Sequence, residues 1–593
     1  MKRRLIAAVI AIAAAPAAQA ADAPTFARTA TPTPRSMIPP LLEPAQRDAY
    51  RDVFASIRAG KWLDAQLALA TMTPGPLHAF AKAQLYTAKG SPKAELEPIL
   101  ALLAEAPELP QAEQLARMAK SRGASELPIL PYTQAMTWIA GPSARARAKS
   151  VKSDLVSADL AVKMQPFIKD DRGEEAEALL STVAALLTPE ALTEWQQKVA
   201  WIYFISGNDA SARRMAELAA KGYGDWVPQG EWVRGLTAWR QKDCVTAETA
   251  FENVGARASD IELRSAALYW ASRADMMCGQ PQKIEARLKS AAQYNETFYG
   301  QLSREMLGMH DKKPALPASA VVAGDWAVLQ RRPNVRVAAA LIEIGEIDLA
   351  DTVLRQQAKI GVASEYAALV RLTGALNCPA TQVWMASNGP AGATAPAAAR
   401  YPAPDWTPDG GWRIDKALVY AHALQESRFR TGVVSPAGAY GLMQIMPAAA
   451  VDYSRSQGLS SIGRSDLARP STNMAVGQSH LEHLRDSTIT GGLLPKVIAA
   501  YNAGPVPVQL WNAIIRDGGD PLLYIESIPY WETRGYVSTV LRNYWMYEGQ
   551  AGKASASRAA LAQGLWPKFP GMPGASAVRM SSNGVPVAVA RAN

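Results

Sequence analysis

Cysteine and histidine are scarce in this 593-residue chain, which has three of the first and five of the second. An odd cysteine count of three cannot build a disulfide scaffold, and neither set of residues has the spacing of a metal site. Metal centres, His-based triads and cofactor chemistry therefore have little to rest on, and no cofactor or metal is expected. His480 and His483 can share a helix face and read as surface or packing residues. His422 reads as core or as a neighbour of a site, not as a ligand. Beyond the first twenty residues no apolar run reaches 18, so no membrane-spanning helix is indicated. Acid is missing from residues 551–593, which hold five basic residues in an Ala, Ser, Gly and Pro background. That stretch is expected to be a disordered basic tail.

The first residues have a different character. Lys2-Arg3-Arg4 precede an apolar run from Leu5 to Ala15, and Ala18-Gln19-Ala20 is a small-residue cleavage pattern. Residues 1–20 are expected to be a secretory signal peptide, which places the protein in the periplasm. Removing them takes three basic residues from a net charge of +9 and leaves +6. A basic exported protein favours anionic partners such as cell-wall polymer or lipid head groups. Export argues against nucleic acid.

The length calls for more than one domain. Residues 21–45, rich in Ala, Thr and Pro, are expected to be a poorly ordered lead-in. From residue 46 to 295 apolar residues recur at three and four, broken by short Gly or Asp/Asn turns such as Gly60-Lys61, Gly207-Asn208-Asp209 and Gly279-Gln280-Pro281. This pattern predicts an all-α array of helical hairpins, a solenoid that curves into a superhelix, with no strand. Further helices over 296–385 predict a helical linker domain. Residues 386–400, rich in Ala, Gly, Pro and Ser, are expected to be a flexible connection, so that residues 401–550 fold as a separate unit. Cys244 and Cys278 lie near hairpin turns about one hairpin repeat apart. Stacked repeats can bring them within the ~7 Å between Cα atoms that a disulfide requires. Two buried free thiols are the alternative, and Cys378 is expected to be a free, buried thiol.

The chemistry concentrates between Asp415 and Pro447. Asp415 is placed to cap a helix whose Ala417, Leu418, Val419, Tyr420, Ala421, Ala423 and Leu424 leave almost no polar face. Glu426 sits at the buried end of that helix. Desolvation favours its neutral form, which suits a general acid. Ser435-Pro436-Ala437-Gly438-Ala439-Tyr440-Gly441 then supplies turn chemistry, and Leu442 to Met446 returns to the interior before Pro447 opens another helix.

Four motifs follow one another within 111 residues: Glu426-Ser427, Gly441-Leu442-Met443-Gln444, Ala500-Tyr501-Asn502-Ala503-Gly504, and Glu526-Ser527-Ile528-Pro529 with Glu532-Thr533-Arg534-Gly535-Tyr536. In this order they resemble the catalytic core of the soluble lytic transglycosylases, lysozyme-like enzymes that cleave peptidoglycan. The resemblance covers about a quarter of the chain. It implies a C-terminal, mainly α, lysozyme-like catalytic domain over 401–550, presented to glycan strands by the superhelix. It also implies non-hydrolytic cleavage of the MurNAc–GlcNAc bond, to give 1,6-anhydro-MurNAc ends in cell-wall turnover. Glu426 would protonate the bridging oxygen, and the MurNAc acetamido group would stabilise C1. Glu426 would then take the proton of the C6 hydroxyl that closes on C1. Ser435 would hydrogen-bond the acetamido group, and Gln444 and Met446 would line the cleft. Tyr501 could hold Glu426 through its hydroxyl, while Asn502 could fix the Gly504 turn or bind sugar. Glu526 could orient the reacting sugar or serve in a structural salt bridge. A hydrolase of the same fold, with a second carboxylate about 5–9 Å from Glu426, is the nearest alternative. A peptidoglycan-binding helical scaffold without catalysis is the other. Protein partners are not indicated.

Overall fold

A computed structural model describes residues 37–141, 144–309, 318–459, 461–582 and 584–587. The expected signal peptide and the lead-in up to residue 36 lie outside the described residues. No helix among the described residues is long and apolar enough to cross a membrane.

Helical hairpins dominate. Pro44–Arg58 turns at Gly60 into Trp62–Thr71, Pro189–Ser206 turns at Gly207 into Asp209–Ala220, and Ile261–Met277 turns at Gly279 into Pro281–Ala292. Each of these glycines has a positive φ, the backbone state that lets a helix end and reverse within two or three residues. Short polar side chains start the next helix. Asn208 accepts from the Ser211 N–H, Asp243 from the Thr246 N–H, and Asp260 from the Leu263 N–H. Cys244 opens one helix, Cys278 closes the next, and the two form a disulfide with Cα atoms 5.5 Å apart. Cys378 is free and buried.

The expected boundaries differ from the observed cores. One apolar core joins helices between residues 42 and 119 to helices between 322 and 399. The chain's first hairpins thus pack against the region expected to be a linker domain. Glu343 fastens the two, accepting from the Leu41 N–H at 2.6 Å and pairing with Arg47 at 3.1 Å. Leu42 is buried beside them, so the lead-in is already packed at its end. The second core runs from Leu160 to Leu302 and on through Tyr401 to Phe569. The superhelix and the C-terminal region therefore share one continuous apolar interior.

Two further expectations are corrected. Residues 386–400 are structured. Asn388–Gly389 pairs antiparallel with Thr137–Trp138, and Ala393, Ala399 and Arg400 are buried. That short strand pair also breaks the expectation of no strand in the first half. The described part of the tail is folded as well, with a helix at Ala556–Ala562 and a three-stranded sheet built from Trp566–Pro567, Ala577–Met580 and Pro586–Val587. Trp566 and Phe569 are each 1 % exposed. Trp566 packs edge-on against Tyr524 and donates its indole N–H to the Gly519 carbonyl. Two buried aromatics outweigh the low-complexity background, because an aromatic ring buries far more area than the Ala, Ser and Gly around it.

Candidate active site

The helix Lys416–Ser427 is capped as expected, Asp415 accepting from the Ala417 N–H at 2.8 Å. Leu418 through Leu424 are all buried, against the long helix Trp531–Gln550 among others. After Ser427 the helix stops abruptly. Arg428 and Phe429 both take positive φ, 51° and 62°, which residues with a Cβ rarely adopt. Phe429 is held there by burial against Tyr420 and Trp406. This forced exit leaves Glu426 on the last turn, half-buried.

Tyr536 donates its hydroxyl to Glu426 Oε1 at 2.6 Å. Burial pushes the Glu426 carboxyl up to about 7, against the pull of that hydrogen bond; the exposed carboxylate of Glu532 adds a smaller push in the same direction as burial. Behind the acid lies an aromatic floor. His422 sits with its ring 4.8 Å from Tyr501 and 6.2 Å from Tyr536, and His480 packs 5.3 Å from Tyr501. The His422 ring faces the Leu418 carbonyl through Nδ1 at 2.9 Å, and burial drives its pKa down to about 4. It is a neutral core histidine that adds no charge beside Glu426.

The residues expected to bind substrate divide. Ser435 closes its own turn, its hydroxyl accepting from the Ala439 N–H at 3.0 Å, which leaves the hydroxyl proton to donate. Gln444, at φ 48°, spends its amide hydrogens on the Val433 and Gly441 carbonyls. Met446 is 45 % exposed, so it lies on the surface and not in the core. Tyr501 does not hold Glu426. Its hydroxyl donates to the Met443 carbonyl at 2.8 Å, pinning the loop, and Tyr536 holds the acid instead. Asn502 accepts from the Thr533 hydroxyl at 2.6 Å and ties two helices together. Glu526 is 1 % exposed and is not free to meet a sugar. It makes a bidentate pair with Arg145 at 2.6 and 3.0 Å and accepts from Tyr299 at 2.7 Å, which is the structural salt bridge.

Two residues escaped sequence reasoning. Tyr536 stands in a quoted motif, but nothing in its spacing shows which tyrosine reaches Glu426. Asn473 is fully buried on the helix Pro470–Asp486. It accepts from the Met443 N–H at 2.8 Å and donates to the Leu467 and Tyr440 carbonyls at 2.9 and 3.2 Å. It is the peg on which the loop hangs, and Gly441 makes room for it. A Cβ on Gly441 would lie 2.4 Å from Asn473 Nδ2 and 2.7 Å from the Leu467 carbonyl oxygen, at a φ of +77°. Gly441→Ala is therefore expected to cost about 2–4 kcal/mol from the combined left-handed backbone and overpacking penalties. Thermal unfolding of the variant beside wild type checks this, and an unchanged Tm would mean that the loop relaxes freely.

Comparisons with known proteins converge on this region. The family model described as Transglycosylase SLT domain matches residues 409–520. The soluble lytic murein transglycosylase of Escherichia coli K12 is 40% identical over 134 residues, 22% of this chain and 20% of that protein. The Salmonella typhimurium protein of the same name is 36% identical over 147 residues, 25% of this chain and 22% of that one. In sequence, then, the chain spans about a fifth of the length of the curated relatives it matches. The fold likeness reaches further. The crystal structure of the 70 kDa soluble lytic transglycosylase of Escherichia coli aligns with 88% of this chain and 99% of its own, with a TM-score of 0.52 at 17% identity. The all-α superhelix with a C-terminal domain is thus a known architecture. Residues 409–520, the stretch that carries Glu426, thus match the Transglycosylase SLT domain family and are similar in sequence to the soluble lytic murein transglycosylases.

Proposed function

We propose that the protein is a peptidoglycan lytic transglycosylase. It would act in the periplasm, cleaving the MurNAc–GlcNAc bond without water and leaving 1,6-anhydro-MurNAc ends. The observation that carries this reading is Glu426, one carboxyl pushed to about 7 by burial and held by a single tyrosine hydroxyl. Such a group is part protonated and part ionised near neutral pH, so it can give a proton to the leaving oxygen and later take one from the C6 hydroxyl. The exposed Ser435 turn and the Gln444 and Met446 edge border the same loop and are the proposed substrate contacts. Glu532 lies near enough for its charge to reach Glu426. Mass spectrometry of digested sacculi tests the proposal. Anhydro-ended muropeptides, lighter by one water than lysozyme products, are expected. Reducing ends would make the enzyme a hydrolase and call for a second carboxylate beside Glu426.

Glu426 also sets the pH dependence. Its protonated form starts the reaction, so kcat/KM should fall as pH rises through about 7. The Tyr536 hydroxyl favours the carboxylate, so removing it raises the pKa further. Tyr536→Phe is expected to move that alkaline limb to higher pH while lowering the maximum rate, because the acid is also less well held. A limb that stays in place would show that Tyr536 does not tune Glu426.

A further inference from the structure

A second charged site lies along the helix Trp531–Gln550, whose Tyr536 holds Glu426. It is a small pocket between the superhelix and the C-terminal domain, with a cavity volume of ≈ 30 Å³. Arg145, Glu262, Tyr299, Arg534, Ser538 and Thr539 are among its walls. Two of the charges there are compensated within the protein: Arg145 pairs with Glu526, and Glu262 pairs with Arg542 at 3.0 Å.

Arg534 is different. It is 6 % exposed, and the negative charge that acts on it is that of Glu526, which is already paired with Arg145. Its Nε donates to the Ile528 carbonyl at 3.1 Å, and its guanidinium stacks 3.9 Å from the Trp201 ring and 5.4 Å from the Trp531 ring. Aromatic faces offset only part of the desolvation of a buried cation, and one carbonyl satisfies one of five donors. Burial pulls its pKa down to about 9, with too little opposing negative charge to restore it. A protein that buries a permanent cation without a counter-ion of its own, in the wall of a pocket, leaves its planar fork of donors for an oxyanion.

We propose that this pocket binds a small oxyanion, a carboxylate or phosphate group, on the Arg534 guanidinium. The bound group would bridge the superhelix and the C-terminal domain, because the pocket's walls come from both. The site is separate from the Glu426 cleft, and its occupancy does not depend on glycan cleavage.

The full chain is tested by thermal unfolding in sodium phosphate and, separately, in sodium acetate, each against sodium chloride at matched ionic strength. Wild type is expected to show a saturable rise in Tm of roughly 2 °C in at least one oxyanion, as linkage requires of a ligand that binds only the folded state. The arm that responds identifies phosphate or carboxylate. Arg534→Gln should lose the rise. Because that variant also loses two ring contacts, Ser538→Glu is the second probe. Ser538 lies one turn from Arg534 on the pocket wall, and a carboxylate there supplies the missing charge from within. Ser538→Glu should unfold at or above the wild-type Tm and be unresponsive to both oxyanions. A wild type that is flat in both salts, or a Ser538→Glu variant that responds like wild type, overturns the proposal.

Discussion

Glu426→Gln is expected to reduce activity on purified peptidoglycan by at least about 10²–10⁴, the range that general acid–base catalysis supplies, and to near zero if one group serves both proton transfers. Gln keeps the shape and can still accept from Tyr536, so fold and glycan binding should persist. The stability of the variant gives an independent check with a definite sign. The folded-state pKa of Glu426 lies above its ordinary value, so the folded protein holds its proton more tightly than the unfolded chain. Its contribution to stability is complete below the unfolded pKa of 4.5 and is lost as pH rises through about 7. The Gln variant has no such loss. It should match wild type at low pH and become more stable than wild type above pH 7, by at most about 3 kcal/mol. A variant that is inactive but also destabilised at every pH would mean that Glu426 holds the fold. A variant that retains substantial activity would remove it as the acid.

The acid was legible in sequence because the signals around it are local. An N-cap, an apolar run with one carboxylate at its end, and a glycine-bearing loop all fall within about thirty residues, and Asp415, Glu426 and Gly441 take those parts in the structure. The helical hairpins were legible for the same reason, as was the Cys244–Cys278 spacing. What was not legible depends on residues far apart in the chain. Tyr501 and Tyr536 are each an aromatic on a buried helix near the acid. Only the packing of Trp531–Gln550 against Lys416–Ser427 decides that the second reaches Glu426. Asn388–Gly389 has the composition of a linker and becomes a strand because Thr137–Trp138 meets it from 250 residues away in sequence. The tail's order rests on Trp566 and Phe569, which a composition average conceals. In each case the deciding contact is made by residues that are neighbours in space and distant in sequence.

Glu526 is the clearest such case, and it carries the second large effect. It belongs to a motif associated with the active site, yet it is buried with both oxygens committed, to Arg145 and to Tyr299. Those partners lie 381 and 227 residues before Glu526 in the chain. The pair therefore clamps the superhelix to the domain, alongside Arg273–Asp520 and Arg542–Glu262. Glu526→Gln removes the charge and keeps the volume. It leaves Arg145 buried without its paired carboxylate and also takes away the negative charge that acts on Arg534, and breaking one partner of a buried pair costs about 3–5 kcal/mol. The expected result is a large fall in Tm or in the denaturant midpoint, with faster proteolysis between the superhelix and the C-terminal domain. At a temperature where the variant is folded, KM should change little. If Glu526 instead orients the sugar, its removal would raise KM or lower kcat with stability near wild type, and that outcome would return it to the substrate-binding set. The two outcomes are separable because Glu526 contacts Arg145 and Tyr299, whereas Tyr536 is the side chain that holds Glu426.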